Sequence, residues 1–185
     1  MLMKKIFSLF VVGVVLFGTS VFAAEEMEES LKTEKSKPLF YVTLKGIYTP
    51  GKSHKEFEGR KGSGIGIDLG MPLAYGFAVE LDGTYDKGDA KIIDTEDTVT
   101  IKYYTTSLDL AYVYDVTEEF GIIAKVGAEY EREKAETTET STGVSGALGL
   151  EYELNERFNV VGEYEISSIK GPKGDMVMAG IKIKF

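Results

Sequence analysis

The chain has one histidine, His54, which follows Ser53 and stands close to Glu56 and Glu58, so a nucleophile, a base and acids occur in one short stretch. Hydrolysis by such a set needs the base within hydrogen-bond reach of the nucleophile and a third group to orient it. These residues fall instead in a polar connection at 49–62, where sequence neighbours face water. No nucleophile elsewhere is placed to use His54 as its base. One histidine with loop carboxylates is also too few for a specific metal centre. With no cysteine in the chain, thiolate ligands and disulfides drop out as well. The expectation is a non-enzyme, with no catalytic, cofactor-binding or metal-binding residues and no cofactor.

A second set carries electrostatics rather than bond chemistry. Lys45, Asp68, Glu80, Asp82, Asp109, Lys125, Glu129, Glu151, Glu153, Glu163, Glu165, Lys182 and Lys184 alternate with apolar residues along their segments. At a period of two, residues of one parity share one face of a β-strand. The charges therefore gather on one face of a sheet and the apolar residues on the other. Acids outnumber bases in this set. Lys45 is expected to pair with an acid of a neighbouring strand, and the terminal lysines with Glu163 or Glu165.

Eight such segments are legible, at 39–48, 63–70, 76–87, 98–114, 120–131, 142–154, 157–168 and 175–185. The last is the clearest: Val177, Ala179, Ile181, Ile183 and Phe185 alternate with Met178, Gly180, Lys182 and Lys184. A helix would mix these two sets. Pro38, Pro50, Pro72 and Pro172 fall at strand ends or in connections, where a missing ladder donor is harmless. Connections at 71–75, 115–119 and 155–156 are short, whereas those at 49–62, 88–97, 132–141 and 169–174 are mostly longer and polar.

Ahead of the strands, Lys4 and Lys5 precede an apolar run from Ile6 to Gly18 and the small-residue site Val21-Phe22-Ala23-Ala24. This is the pattern of an export signal, too short to span a bilayer as a helix. The expected organisation is a signal peptide over 1–24, a flexible polar lead-in over 25–37 and a sheet domain over 38–185. The chain's net charge of −9, more negative once Lys4 and Lys5 are removed, excludes nucleic acid as a partner.

Alternation alone leaves two orientations. A soluble lipocalin-like barrel would turn the apolar face inward around a ligand. Two features favour the reverse. Aromatic residues flank single strands on the apolar parity: Phe40 and Tyr48, Phe77 and Tyr85, Tyr104 and Tyr114, Phe120 and Tyr130. At about 3.3 Å per residue and a tilt near 40°, their separation projects to roughly 20–25 Å, the height of a lipid-facing band between aromatic girdles. Charges of the other parity would each cost roughly 2–4 kcal/mol for a base at the lipid midplane, so in a membrane they must line the interior. Lys102 breaks the parity but lies beyond Tyr104, toward water. The fold expected is an all-β, eight-stranded antiparallel up-and-down transmembrane β-barrel.

The strand Tyr41-Val42-Thr43-Leu44-Lys45-Gly46, the strand Gly64-Ile65-Gly66-Ile67-Asp68-Leu69-Gly70 and the terminal Ile181-Lys182-Ile183-Lys184-Phe185 resemble the small outer-membrane β-barrel superfamily of OmpA-type, OmpX-type and opacity-protein barrels. The resemblance covers 39–185 and specifies architecture better than activity. It implies a porin-like cell-surface protein in a Gram-negative-type outer membrane, with membrane lipid as its surroundings. It also implies that Ile181, Ile183 and Phe185 form the signal read by the barrel-assembly machinery. Ending at the last strand, the chain departs from OmpA-type proteins, and a peptidoglycan tether is not implied.

The expected role is structural or surface-interacting, around a polar, side-chain-filled interior. The alternative is an adhesin or binder of host or surface ligands acting through external loops, where Lys52, Lys55, Arg60 and Lys61 make a basic patch. A narrow pore, a lipid-A-modifying enzyme using the His54 stretch and a soluble ligand carrier stand behind these two.

Overall fold

Strands with one apolar and one charged face can satisfy both only by closing on themselves, and the chain does so. The computed structural model describes residues 38–54, 57–93, 97–135 and 137–185. The expected signal peptide and lead-in lie outside these residues. The strands are β1 (Tyr41–Thr49), β2 (Phe57–Pro72), β3 (Phe77–Ile92), β4 (Thr98–Asp115), β5 (Phe120–Lys134), β6 (Thr138–Glu153), β7 (Phe158–Ser167) and β8 (Met176–Lys184). Each pairs antiparallel with its successor, and β1 pairs with both β2 and β8, which closes the ring. The expected eight-stranded barrel is the fold.

The turns at the end of the barrel that holds the chain termini are tight, and each has a local cause. In the β4–β5 turn, Thr117 Oγ1 accepts from the Phe120 N–H at 3.0 Å. In the β6–β7 turn, Asn155 Oδ1 accepts from the N–H groups of Arg157 and Phe158 at 2.9 and 3.0 Å. Such short polar side chains replace the backbone partners that a reversing chain gives up.

At the other end the strands run further than alternation predicts. β2 begins at Phe57 rather than 63, β3 continues to Ile92 rather than 87, and β6 begins at Thr138 rather than 142. Ser53–His54 pairs with Phe57 and Glu58 in the hairpin before β2, so the expected first loop is largely ribbon. Beyond the membrane both faces of a ribbon meet water. The hydrophobic pattern therefore fades while backbone pairing persists. A bulge between Gly59 and Gly62 shifts the β2–β3 register within this extension.

The surface is inverted relative to a soluble protein. Leu148, Val144 and Leu81 point outward, with 67, 57 and 49% of their area exposed, while Asp68, Glu80 and Lys45 are buried. Outward rings pair across strands at both ends of the apolar band: Phe77 with Tyr112 at 4.8 Å and Tyr85 with Tyr104 at 5.1 Å between centroids.

Candidate functional site in the barrel bore

Inward parity places charges from all eight strands in one narrow space, and register decides which of them meet. In mid-bore, Lys45 on β1 and Lys125 on β5 face each other across the ring. Lys45 Nζ lies 2.9 Å from Asp68, 2.9 Å from Asp82 and 3.2 Å from Glu163. Lys125 Nζ lies 3.4 Å from Asp68, 2.5 Å from Glu80 and 2.6 Å from Glu163. The Tyr41 hydroxyl donates to Glu80 at 2.5 Å. Buried carboxylates are tolerable only when paired and hydrogen-bonded, and each of these four touches an ammonium. Tyr41 is seated here because its register partner on β2 is Gly70, where a Cβ would collide with the Tyr41 ring.

Toward the termini, Lys182 pairs with Glu151, and Lys184 with Glu153 at 2.8 Å. This corrects the expectation that the terminal lysines reach Glu163 or Glu165. In the β7–β8 register Lys182 stands opposite Asn159, while Glu163 stands opposite Met178 and Glu165 opposite Met176. The lysines therefore reach past β7 to β6. Asn159 donates to Glu151 at 3.4 Å, and the Lys182 ammonium sits 4.7 Å from the centre of the Tyr41 ring.

Toward the other mouth, Asp109 accepts from Ser107 at 2.5 Å and from Ser145 at 3.4 Å, and Glu129 accepts from Ser167. Glu165 lines a small cavity with Glu129, Glu131 and Lys173. Lys173 belongs to the connection between β7 and β8, yet it is buried. Its ammonium lies 3.2 Å from Asp86 and 3.1 Å from Glu131, accepted also by the Thr105 hydroxyl at 3.1 Å. The Tyr103 ring centre is 5.5 Å away. Burial alone would lower the pKa of this amine, but Asp86 and Glu131 more than offset it and hold the ammonium above its ordinary value. The Lys52 N–H donates to the Pro172 carbonyl at 2.9 Å, fastening this connection to the first hairpin.

Sequence reasoning missed Asp86, Glu131 and Lys173. Asp86 and Glu131 carry the inward parity within recognised segments, so alternation could have found them. Lys173 has no such signal, because nothing in a Gly-Pro-Lys-Gly connection says that it folds inward. The bore also holds apolar side chains, with Ile47, Ile123, Val161 and Met178 buried. His54 sits in the ribbon before β2 with Ser53 and Glu58, while Lys55 and Glu56 lie outside the described residues. Among the described residues, no group of three or more His, Cys, Asp or Glu side chains is arranged to hold a metal. On the outer wall of β8, Ile181 and Phe185 are exposed, and Phe185 stacks on Phe40 at 4.9 Å.

A family profile described as outer membrane protein beta-barrel domain matches residues 12–185. No curated protein sequence matches the chain. Among solved structures, the chain is similar to Neisserial surface protein A, at 15% identity, over 79% of this chain and 97% of that one, with a TM-score of 0.61. It is similar to the outer membrane protein OprG of Pseudomonas aeruginosa, at 18% identity over 80% and 97%, with a TM-score of 0.56. It is also similar to Ail, the attachment invasion locus protein of Yersinia pestis, solved with the heparin analogue sucrose octasulfate, at 13% identity over 80% and 99%, with a TM-score of 0.60. At these identities the likeness is one of fold.

Proposed function

The chain belongs to the outer membrane protein beta-barrel domain family and resides in the outer membrane; from that premise we propose a closed, ion-paired wall protein whose biological contacts are made by its water-exposed ribbons. The supporting observation is the mid-bore cluster, in which Lys45 and Lys125 bind four carboxylates where an open channel would need water. An eight-stranded barrel is just wide enough for side chains to fill it. The thirteen inward charged residues named from the sequence act in this reading as a rigid polar filling. Bilayer conductance tests it: the expected trace has no stable open state, and a steady level of nanosiemens size would overturn it.

A surface-binding role is the second reading. The first hairpin exposes Lys52, Arg60 and Lys61, and the similar Ail structure holds a sulfated heparin analogue. Cells carrying the chain with and without 51–61 should differ in binding to host matrix; equal binding removes this reading. Ile181, Ile183 and Phe185, on the lipid-facing wall of β8, serve in the proposal as the signal for the barrel-assembly machinery. No catalytic step and no cofactor enter it.

A further inference from the structure

Register places three lysines side by side on the outside of the barrel. Lys87 on β3 stands opposite Lys102 on β4, and Lys102 stands opposite Lys134 on β5. Side chains directly opposite in a sheet lie about 5 Å apart, and like charges in such pairs repel. Among the described residues, no ion pair compensates any of the three. The acid nearest on the same face, Asp89, sits one outward position nearer the mouth and is engaged by the Thr100 hydroxyl at 2.8 Å. A row of this kind needs an anion from outside the chain.

Its height identifies where that anion lies. One outward position toward the bilayer centre is the row Tyr85, Tyr104 and Arg132, with the two rings in contact. The Lys134 ammonium lies 5.0 Å from the Tyr104 ring centre. Tyrosine rings settle at the headgroup boundary, so ammonium groups about 5 Å further out lie at phosphate level. The row is also one-sided. On β2 the position opposite Lys87 is Ser63, with the exposed Arg60 and Lys61 of the bulge just nearer the mouth, whereas on β6 the position opposite Lys134 is Thr138, followed by Thr140 and Thr142 toward the bilayer. Unspecific anchoring by long basic side chains would have no reason to stop at β5.

The geometry points to a binding site for a lipid phosphomonoester headgroup on the outer wall across β3–β5, held by Lys87, Lys102, Lys134 and Arg132. The lipid's acyl chains would then lie along the apolar wall below, over Leu81, Leu108 and Leu110.

Full-length protein reconstituted in phosphatidylcholine vesicles with added phosphatidic acid, extracted gently and examined by native mass spectrometry, tests this. Wild type is expected to retain phosphatidic acid in preference to phosphatidylcholine. Each interfacial lysine contributes roughly fivefold to such attraction, so K87Q/K102Q/K134Q should lose at least about tenfold in retention. K87R/K102R/K134R should keep it, as should K52Q/K170Q/R157Q, which removes as much charge elsewhere. Heat-modifiable migration checks that all are folded. Equal retention by the glutamine variant, or no preference between the two lipids, overturns the site. Displacement by free glycerol phosphate at low concentration overturns its assignment to a membrane lipid.

Discussion

Lys45 and Lys125 reach the same two carboxylates, Asp68 and Glu163, from opposite walls of the bore. Neither lysine can be removed without leaving acids that the other must hold alone. Lys45→Met is expected to destabilise the barrel by about 3–5 kcal/mol, the usual cost of breaking a buried pair on one side. Replacing Asp82, whose one ammonium partner among the described residues is Lys45, by Asn should cost less. Urea unfolding in detergent or lipid measures both. Near-equal stabilities of wild type and K45M would mean that water fills the bore.

Leu81 lies midway between the outward rings Phe77 and Tyr85 on β3 and faces away from the bore. Leu81→Arg should cost about 2–4 kcal/mol in a bilayer, and Thr140→Arg, level with Arg132 and Tyr104 at the girdle, about 0–1. Reversal of that order would place the apolar wall somewhere other than in lipid.

Lys173 ties the β7–β8 connection into the mouth through Asp86 and Glu131. Its amine is more basic folded than unfolded, so its stabilising contribution is complete below the unfolded value near 10.4 and is lost as pH rises through the higher folded one. Protease cleavage within 168–175 should stay constant from neutral pH to about 10 and rise above that. Lys173→Met should be cleaved faster already at neutral pH. Equal cleavage of the two proteins at pH 7 would show that the lysine does not hold the connection.

Phe185 stacks on Phe40 across the β1–β8 closure. Phe185→Ala should lower unfolding stability by about 0.5–1.5 kcal/mol, the worth of a ring pair. If the ring also belongs to the assembly signal, insertion in cells should fall by more than this loss explains, while refolding into detergent proceeds. Insertion at the wild-type level with stability reduced would leave Phe185 a packing residue only.

The sequence made the barrel legible because lipid imposes a rule: inside the bilayer an outward residue carries no charge. Leu148 between Ala147 and Gly149 points outward for that reason, and Lys45, Asp68 and Glu80 of the other parity are buried. Outside the bilayer the rule lapses, and the extensions of β2, β3 and β6 were unreadable as strands. Pairing within the bore was less legible than parity. Which acid Lys182 meets depends on register and on reach across a neighbouring strand, and no local pattern encodes either. The inward fold of Lys173 depends on a mouth assembled from β3, β4 and β5, all distant in sequence.

The Leu39 N–H donates to the Phe185 carbonyl, and the Phe185 N–H to the carbonyl of Phe40. The two ends of the barrel are thereby laced into the same ladder as every other strand pair, and the ring has no privileged starting strand. Splicing these ends together and reopening the chain in one of the outer connections would leave each rung in place. A circular permutant built this way should refold into detergent with the same wall and the same bore, its new termini at the opposite mouth.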